Sequence, residues 1–165
     1  MDAIKNLLSR KSSKNLEAPF PSKKEMDIVY QSALRAPDHA WLRPSKFLEF
    51  KGESLEELSK IFTNFANDHY KEDKAFIEKA KAAPFRAPMV IVLITEIKDH
   101  PKVPAIEQML STSAATQNIL LALHALGYGA IWKTGKLALN ENIPKYFNLD
   151  KNHHILGYIY TVSYT

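Results

Sequence analysis

Three short stretches of this sequence concentrate groups that can hold an anion or a flat ligand. The first is RKSSK, residues 10–14. The fork of Arg10 and the hydroxyl of Ser12 match the geometry of phosphate oxygens, and Lys11 and Lys14 add point charges. Taken alone, such a run reads equally well as a solvated basic turn. The second is RAPDHAWLRPSKF, residues 35–47, which gathers Arg35, His39, Trp41 and Arg43 between two prolines. A residue before proline is pushed away from helical angles, so Ala36 and Arg43 force a loop here. Loops carried by rigid elements often hold function, although a connection with merely solvated charges has the same composition. The third is IWKTGKLA, residues 131–138, where Lys133 and Thr134 follow a strand at a glycine. It is a second candidate anion site, the plainer alternative being a strand-end lysine in water.

Other chemistries are excluded or lack support. There is no cysteine, which removes disulfides, thiol nucleophiles and cysteine-ligated metals, so redox chemistry has to belong to a bound cofactor. No serine sits in a nucleophile-elbow sequence, and no phosphate-loop or dinucleotide glycine fingerprint occurs. His153 and His154 are adjacent and face opposite sides of a strand, and His69, His100 and His124 lack the partners of a zinc site, which makes them surface or boundary residues. A net charge of +4 suits an anionic partner. The lysines are dispersed, however, and no arginine-rich tract or aromatic RNA-binding signature puts nucleic acid first.

These groups need a scaffold, and the pattern supplies one. A chain of 165 residues, 45% hydrophobic and 24% charged, fits one globular domain over 1–165. Its first residues carry charges inside the apolar pattern, unlike a signal peptide or membrane span, and a cytoplasmic protein is expected. Ile4, Leu7 and Leu8 have helical spacing. Ser22 with Glu25, and Ser54 with Glu57, form capping-box signatures ahead of two further helices, and another helix is expected over Glu72 to Ala83. KFLEF, GAIWK and HILGYIYTV read as strands, NENIPKYF as a helix, and PMVIVLIT as a strand buried on both faces at the sheet centre. From about Pro104 to Leu126 one long helix is expected, closed by Gly127, with small residues in its middle that allow close packing on the sheet or on a symmetry-related copy. Helices around a few strands, without regular alternation, make the class α+β.

Taken together the motifs resemble the nitroreductase family of flavoproteins, in its short single-domain branch. The resemblance is carried by MDAIKNLLSRKS at the start, RAPDH in the opening loop, KAAPFRAPMVIV, KVPAIEQMLS, and GYGAIWKTG. It implies a three-layer fold, with a central, mostly antiparallel sheet flanked by helices including a long central one. It further implies FMN held non-covalently at the interface of a homodimer. On this resemblance Arg10, Lys11 and Ser12 contact FMN from one end of the site, Lys14 matches a basic position near the pyrimidine edge of the flavin, and Arg35 and His39 are further flavin contacts. Ile131, Trp132 and Lys133 correspond to a phosphate-side segment expected from the partner subunit. Leu121, Ala122, Leu123, His124, Ala125 and Leu126 correspond to a stretch assigned to the nicotinamide nucleotide, although an apolar helix face is equally core.

The function implied is an FMN-dependent NAD(P)H oxidoreductase passing hydride through flavin N5 to nitroaromatics, quinones or similar planar acceptors, with ping-pong kinetics. No protein group need act as acid or base, and no metal is implied. The chain departs from the family where glutamine and then proline–tryptophan are usual, carrying Arg43, Pro44 and Ser45, and it has Lys11 and Lys133 where arginines are usual. Lysine keeps charge but loses the bidentate fork, which implies weaker FMN binding. The alternatives are a non-enzymatic module that stores or hands over FMN and, behind it, a basic nucleic-acid-binding domain.

Overall fold

The computed structural model describes residues 2–13 and 18–163. Its centre is a four-stranded antiparallel sheet in the order β1 (Ser45–Lys51), β2 (Met89–Glu96), β4 (His153–Ser163), β3 (Tyr128–Lys133). The run from Met89 to Thr95 is buried throughout, because β2 has a strand on each side and helices over both faces. This is the expected α+β, three-layer arrangement.

One face carries Val90, Val92, Ile94, Tyr158 and Tyr160 and is covered by α3 (Ser54–Tyr70), α4 (Lys74–Ala82) and the short helices α6 (Lys136–Leu139) and α7 (Ile143–Tyr146). Phe62 and Phe65 of α3 are wholly buried there. The other face carries Met89, Ile91, Leu93 and Ile159 and is covered by α2 (Lys23–Ala33) and the long helix α5 (Ala105–Ala125). Strand alternation produces this split, with one correction in β4: Leu93 pairs with Gly157 but Ile94 with Ile155. The extra residue, Leu156, is a bulge that lets Ile155 and Tyr158 share a face.

Gly157 sits at that bulge with φ +139°, and a Cβ there would lie 2.3 Å from Trp132 Nε1. The backbone must approach that closely, since the indole donates to the Leu156 carbonyl at 3.1 Å.

The capping box of α2 forms as the sequence suggests, Ser22 Oγ accepting from the Glu25 amide and Glu25 accepting from the Ser22 amide. The one expected at Ser54 and Glu57 does not form. Ser54 lies inside α3, and its hydroxyl instead bridges the amide and carbonyl of Lys51 across the turn from β1. The competing local bond wins because it satisfies both backbone groups of one turn residue.

The helix α1 (Ala3–Ser9) is capped by Asp2, whose carboxylate accepts from the amides of Ile4 and Lys5. It buries none of its own residues in the core. It is tied to the far end of α5, Asn6 Nδ2 donating to the Leu121 carbonyl and Ser9 Oγ lying 3.0 Å from His124 Nε2.

Candidate functional site

The end of α1 delivers the first basic stretch to the free edge of β3. Ser12 forms a parallel bridge with Ala130, and the Ser13 amide donates to the Ala130 carbonyl at 3.1 Å. The bridge is parallel, so Arg10 and Lys11 leave the helix toward the Tyr128–Ala130 end of β3, and Ser13 runs on toward Ile131 in the same chain. Lys14 lies outside the described residues. Within one chain, the bridge at Ala130 sets the start of the segment Ile131, Trp132 and Lys133 next to Ser12. Neither Arg10 nor Lys11 has an ion-pair partner among the described residues, so both side chains keep their donors for something else.

Along β3 the side chains alternate. Ile131 packs with the α3–α4 core, Trp132 with the α5 core, and Lys133 reaches back over the Tyr160 ring, its Nζ 4.8 Å from the centroid. Burial, and then the nearby cations Arg86 and Lys79, hold the Lys133 ammonium below its ordinary value.

The opening loop is at the opposite end of α5. His39 Nδ1 lies 2.8 Å from a Glu107 carboxylate oxygen, and Ser111 Oγ donates to the Pro37 carbonyl. The Asp38 carboxylate accepts from the amides of Leu42 and Arg43, while Lys98 Nζ donates to the Leu42 carbonyl. These bonds hold three non-glycine residues in the left-handed region, Ala40 at φ 59°, Trp41 at 55° and Arg43 at 52°. Such conformations cost of order 1 kcal/mol each and persist only where surrounding bonds over-determine them. The result exposes Trp41, 73% accessible, with the Arg43 guanidinium 4.7 Å from its ring centroid. The clustering of left-handed residues was missed in the sequence, because nothing short of the closed loop shows it. Ser45 Oγ donates to Thr112 Oγ1 of α5 at 3.1 Å.

His39 at Glu107 and Ser9 at His124 mark the two ends of one straight element. At about 1.5 Å per residue the two ends are separated by about 25 Å, further than one mononucleotide spans. Within one chain His39 and Ser9 therefore stand at opposite ends of α5. Between them α5 presents an outward stripe in which Ile106 is 59% and Leu110 60% exposed, followed by the half-buried Ser113, Ala114 and Leu121.

The stretch 121–126 is divided. Leu123 is wholly buried and His124 nearly so, while Ala125 is exposed and Leu121, Ala122 and Leu126 are half-buried. His124, expected at the surface or its boundary, is buried at the end of α5. Burial, and then the Arg10 charge, hold its imidazole below the ordinary value. His153 is buried and His154 exposed, as their adjacency on a strand requires. No cluster among the described residues has the ligands for a metal, and no helix of the described residues is long and apolar enough to cross a membrane.

The arrangement has relatives. A family model described as the nitroreductase family matches residues 7–164. "Putative NAD(P)H nitroreductase YdjA" of Escherichia coli K12 is 33% identical over 160 residues, covering 97% of this chain and 87% of that protein. Among solved structures, a nitroreductase-like family protein from Bacillus cereus has a TM-score of 0.86 at 21% identity, covering all of this chain and 87% of that one. A Bacteroides fragilis nitroreductase with bound FMN has a TM-score of 0.74 at 18% identity, covering 98% of this chain and 88% of that one. The match over nearly the whole length, on the same fold, establishes that this chain belongs to the nitroreductase family.

Proposed function

We propose that the protein is an FMN-dependent NAD(P)H oxidoreductase that reduces small planar acceptors, working as a homodimer with two shared sites. The observation that carries this reading is the placement of the two donor groups at opposite ends of α5. A twofold axis crossing the middle of α5, near Ser113–Gln117, would set two α5 helices antiparallel and bring the His39 end of one subunit to Arg10, Lys11 and Ser12 of the other. The outward stripe of Ile106, Leu110, Ala114 and Leu121 is apolar enough to make such an interface. The relatives add support: an NAD(P)H nitroreductase description for YdjA and an FMN-bound structure for the B. fragilis protein.

The residues fit a flavin mononucleotide. Arg10, Lys11 and Ser12 would hold the phosphate, their donors being free of carboxylates among the described residues. The segment Ile131–Lys133 would lie along the ring, with the backbone end of β3 and the Lys133 charge beside it. His39, fixed by Glu107, would present its ring from the other subunit. Bound FMN supplies hydride acceptance and donation at N5. The chain's part is to orient the ring, exclude water and place positive charge near it, which explains why no catalytic acid or base is needed. The half-buried Leu121, Ala122 and Leu126 would border the nicotinamide nucleotide, and Leu123 would serve only as core.

The visible spectrum tests the reading. Purified protein, anaerobic, is expected to show a flavin band that bleaches on adding NADPH or NADH and returns with a nitroaromatic or quinone. A flavin that neither reductant bleaches makes the protein a binding module, and a protein that takes up no FMN removes the reading altogether.

A further inference from the structure

A cavity of about 310 Å³ opens on the α3–α4 face of the sheet, where α4, the turn Pro84–Arg86 and the ends of β3 and β4 meet. Three cations line it, Lys79 from α4, Arg86 from the turn and Lys133 from β3, and no carboxylate does. None of the three makes an ion pair among the described residues. Asp73, on the same helix side, is engaged by Lys136 at 3.8 Å, so it does not neutralise the three. In place of an anion, Lys133 has only the face of Tyr160. Burial first, and then the charges of Arg86 and Lys79, favour the uncharged form of Lys133.

The remaining walls are largely apolar and aromatic, with Phe76, Ala83, Leu137, Tyr158 and Tyr160 beside Thr134. The volume lies at the small end of organic-ligand sites, well beyond the needs of an inorganic anion. Aromatic walls favour a planar body, and a guanidinium flanked by two ammonium groups favours a carboxylate on its edge. We propose that this cavity binds a small aromatic carboxylate and, resting on the function proposed above, that the preferred electron acceptor carries such a group. Lys133 joins the two sites, for it ends the segment that borders the ring and begins the wall of the cavity.

Calorimetric titration of the purified protein with benzoate and with its neutral isostere benzamide tests the site without any redox step. Benzoate is expected to bind at least roughly tenfold more tightly, the weight of one charge-assisted hydrogen bond. Arg86→Gln should abolish that preference, and Arg86→Lys should restore part of it. Equal affinity for the two probes, or a preference that survives both Arg86→Gln and Lys79→Gln, overturns the proposal. In FMN-loaded protein, KM for 4-nitrobenzoate should lie below that for 4-nitrobenzamide, and Arg86→Gln should raise only the former. Expulsion of benzoate by FMN would assign the cavity to the cofactor and overturn the proposal. Benzoate binding at Arg86 in a protein that takes up no FMN would uphold the site while refuting the redox function.

Discussion

Ser12 and Ala130 form a parallel bridge, and the adjacent Ser13 amide donates to the Ala130 carbonyl at 3.1 Å. This one contact unites residues far apart in sequence into a single donor cluster at the edge of β3. It also places Arg10 where no carboxylate of the described residues neutralises it. Arg10→Gln is accordingly expected to weaken FMN by about tenfold or more, with little effect on melting temperature. Flavin fluorescence during titration reads the affinity, and an unchanged dissociation constant would detach Arg10 from the cofactor.

The bulge at Gly157 is expected to be the most intolerant glycine. A Cβ there meets the Trp132 indole at 2.3 Å and the Lys133 carbonyl at 2.6 Å, whereas at Gly52, φ +56°, nothing lies within 4 Å. Gly52→Ala should cost only the left-handed backbone strain, about 1–2 kcal/mol. Gly157→Ala should cost more than that and weaken FMN as well, because β3 has to move. Urea unfolding of both variants checks the order.

The opening loop depends on Asp38, whose carboxylate serves two amides. Asp38→Ala is expected to cost about 1–3 kcal/mol, and to release Trp41 and Arg43 from their left-handed conformations. Trp41 emission should then shift and its acrylamide quenching should rise. An Asp38→Ala protein with native quenching would mean that the ties from Lys98, Ser111 and Glu107 suffice.

His124 links stability to pH. Burial lowers its folded-state pKa below the ordinary 6.5, so below that pH the unfolded chain binds the extra proton first. This contribution to stability is complete above about pH 6.5 and is lost as the pH falls toward the depressed folded-state value. His124→Gln should flatten the dependence of the urea midpoint between neutral pH and about pH 5 relative to the native protein. Parallel curves for the two proteins would contradict this.

Periodicity alone marks the elements, since burial demands it locally. The apolar run of β2, the alternation of β4 and the long span of α5 are all legible in the residues, because a strand covered on both faces and a helix packed on two sides have few other compositions. The Ser54–Glu57 signature misled because a cap residue can serve whichever backbone groups lie nearest, and the turn from β1 supplied closer ones. The three basic or aromatic stretches were equally visible, as was their family likeness.

What the residues could not reveal is which stretches meet. Ser12 comes next to the start of the segment Ile131–Lys133 only because α1 docks on the last turns of α5 and the chain runs on along β3. His39 is kept about 25 Å from Ser9 because their partners, Glu107 and His124, stand near opposite ends of α5. Lys79, Arg86 and Lys133 come from three separate elements, and their convergence without a counter-charge exists only once α4 has packed against the sheet. Composition and spacing thus marked most of the secondary elements. The grouping of charges depended on long-range packing, for which no local pattern carries a signal.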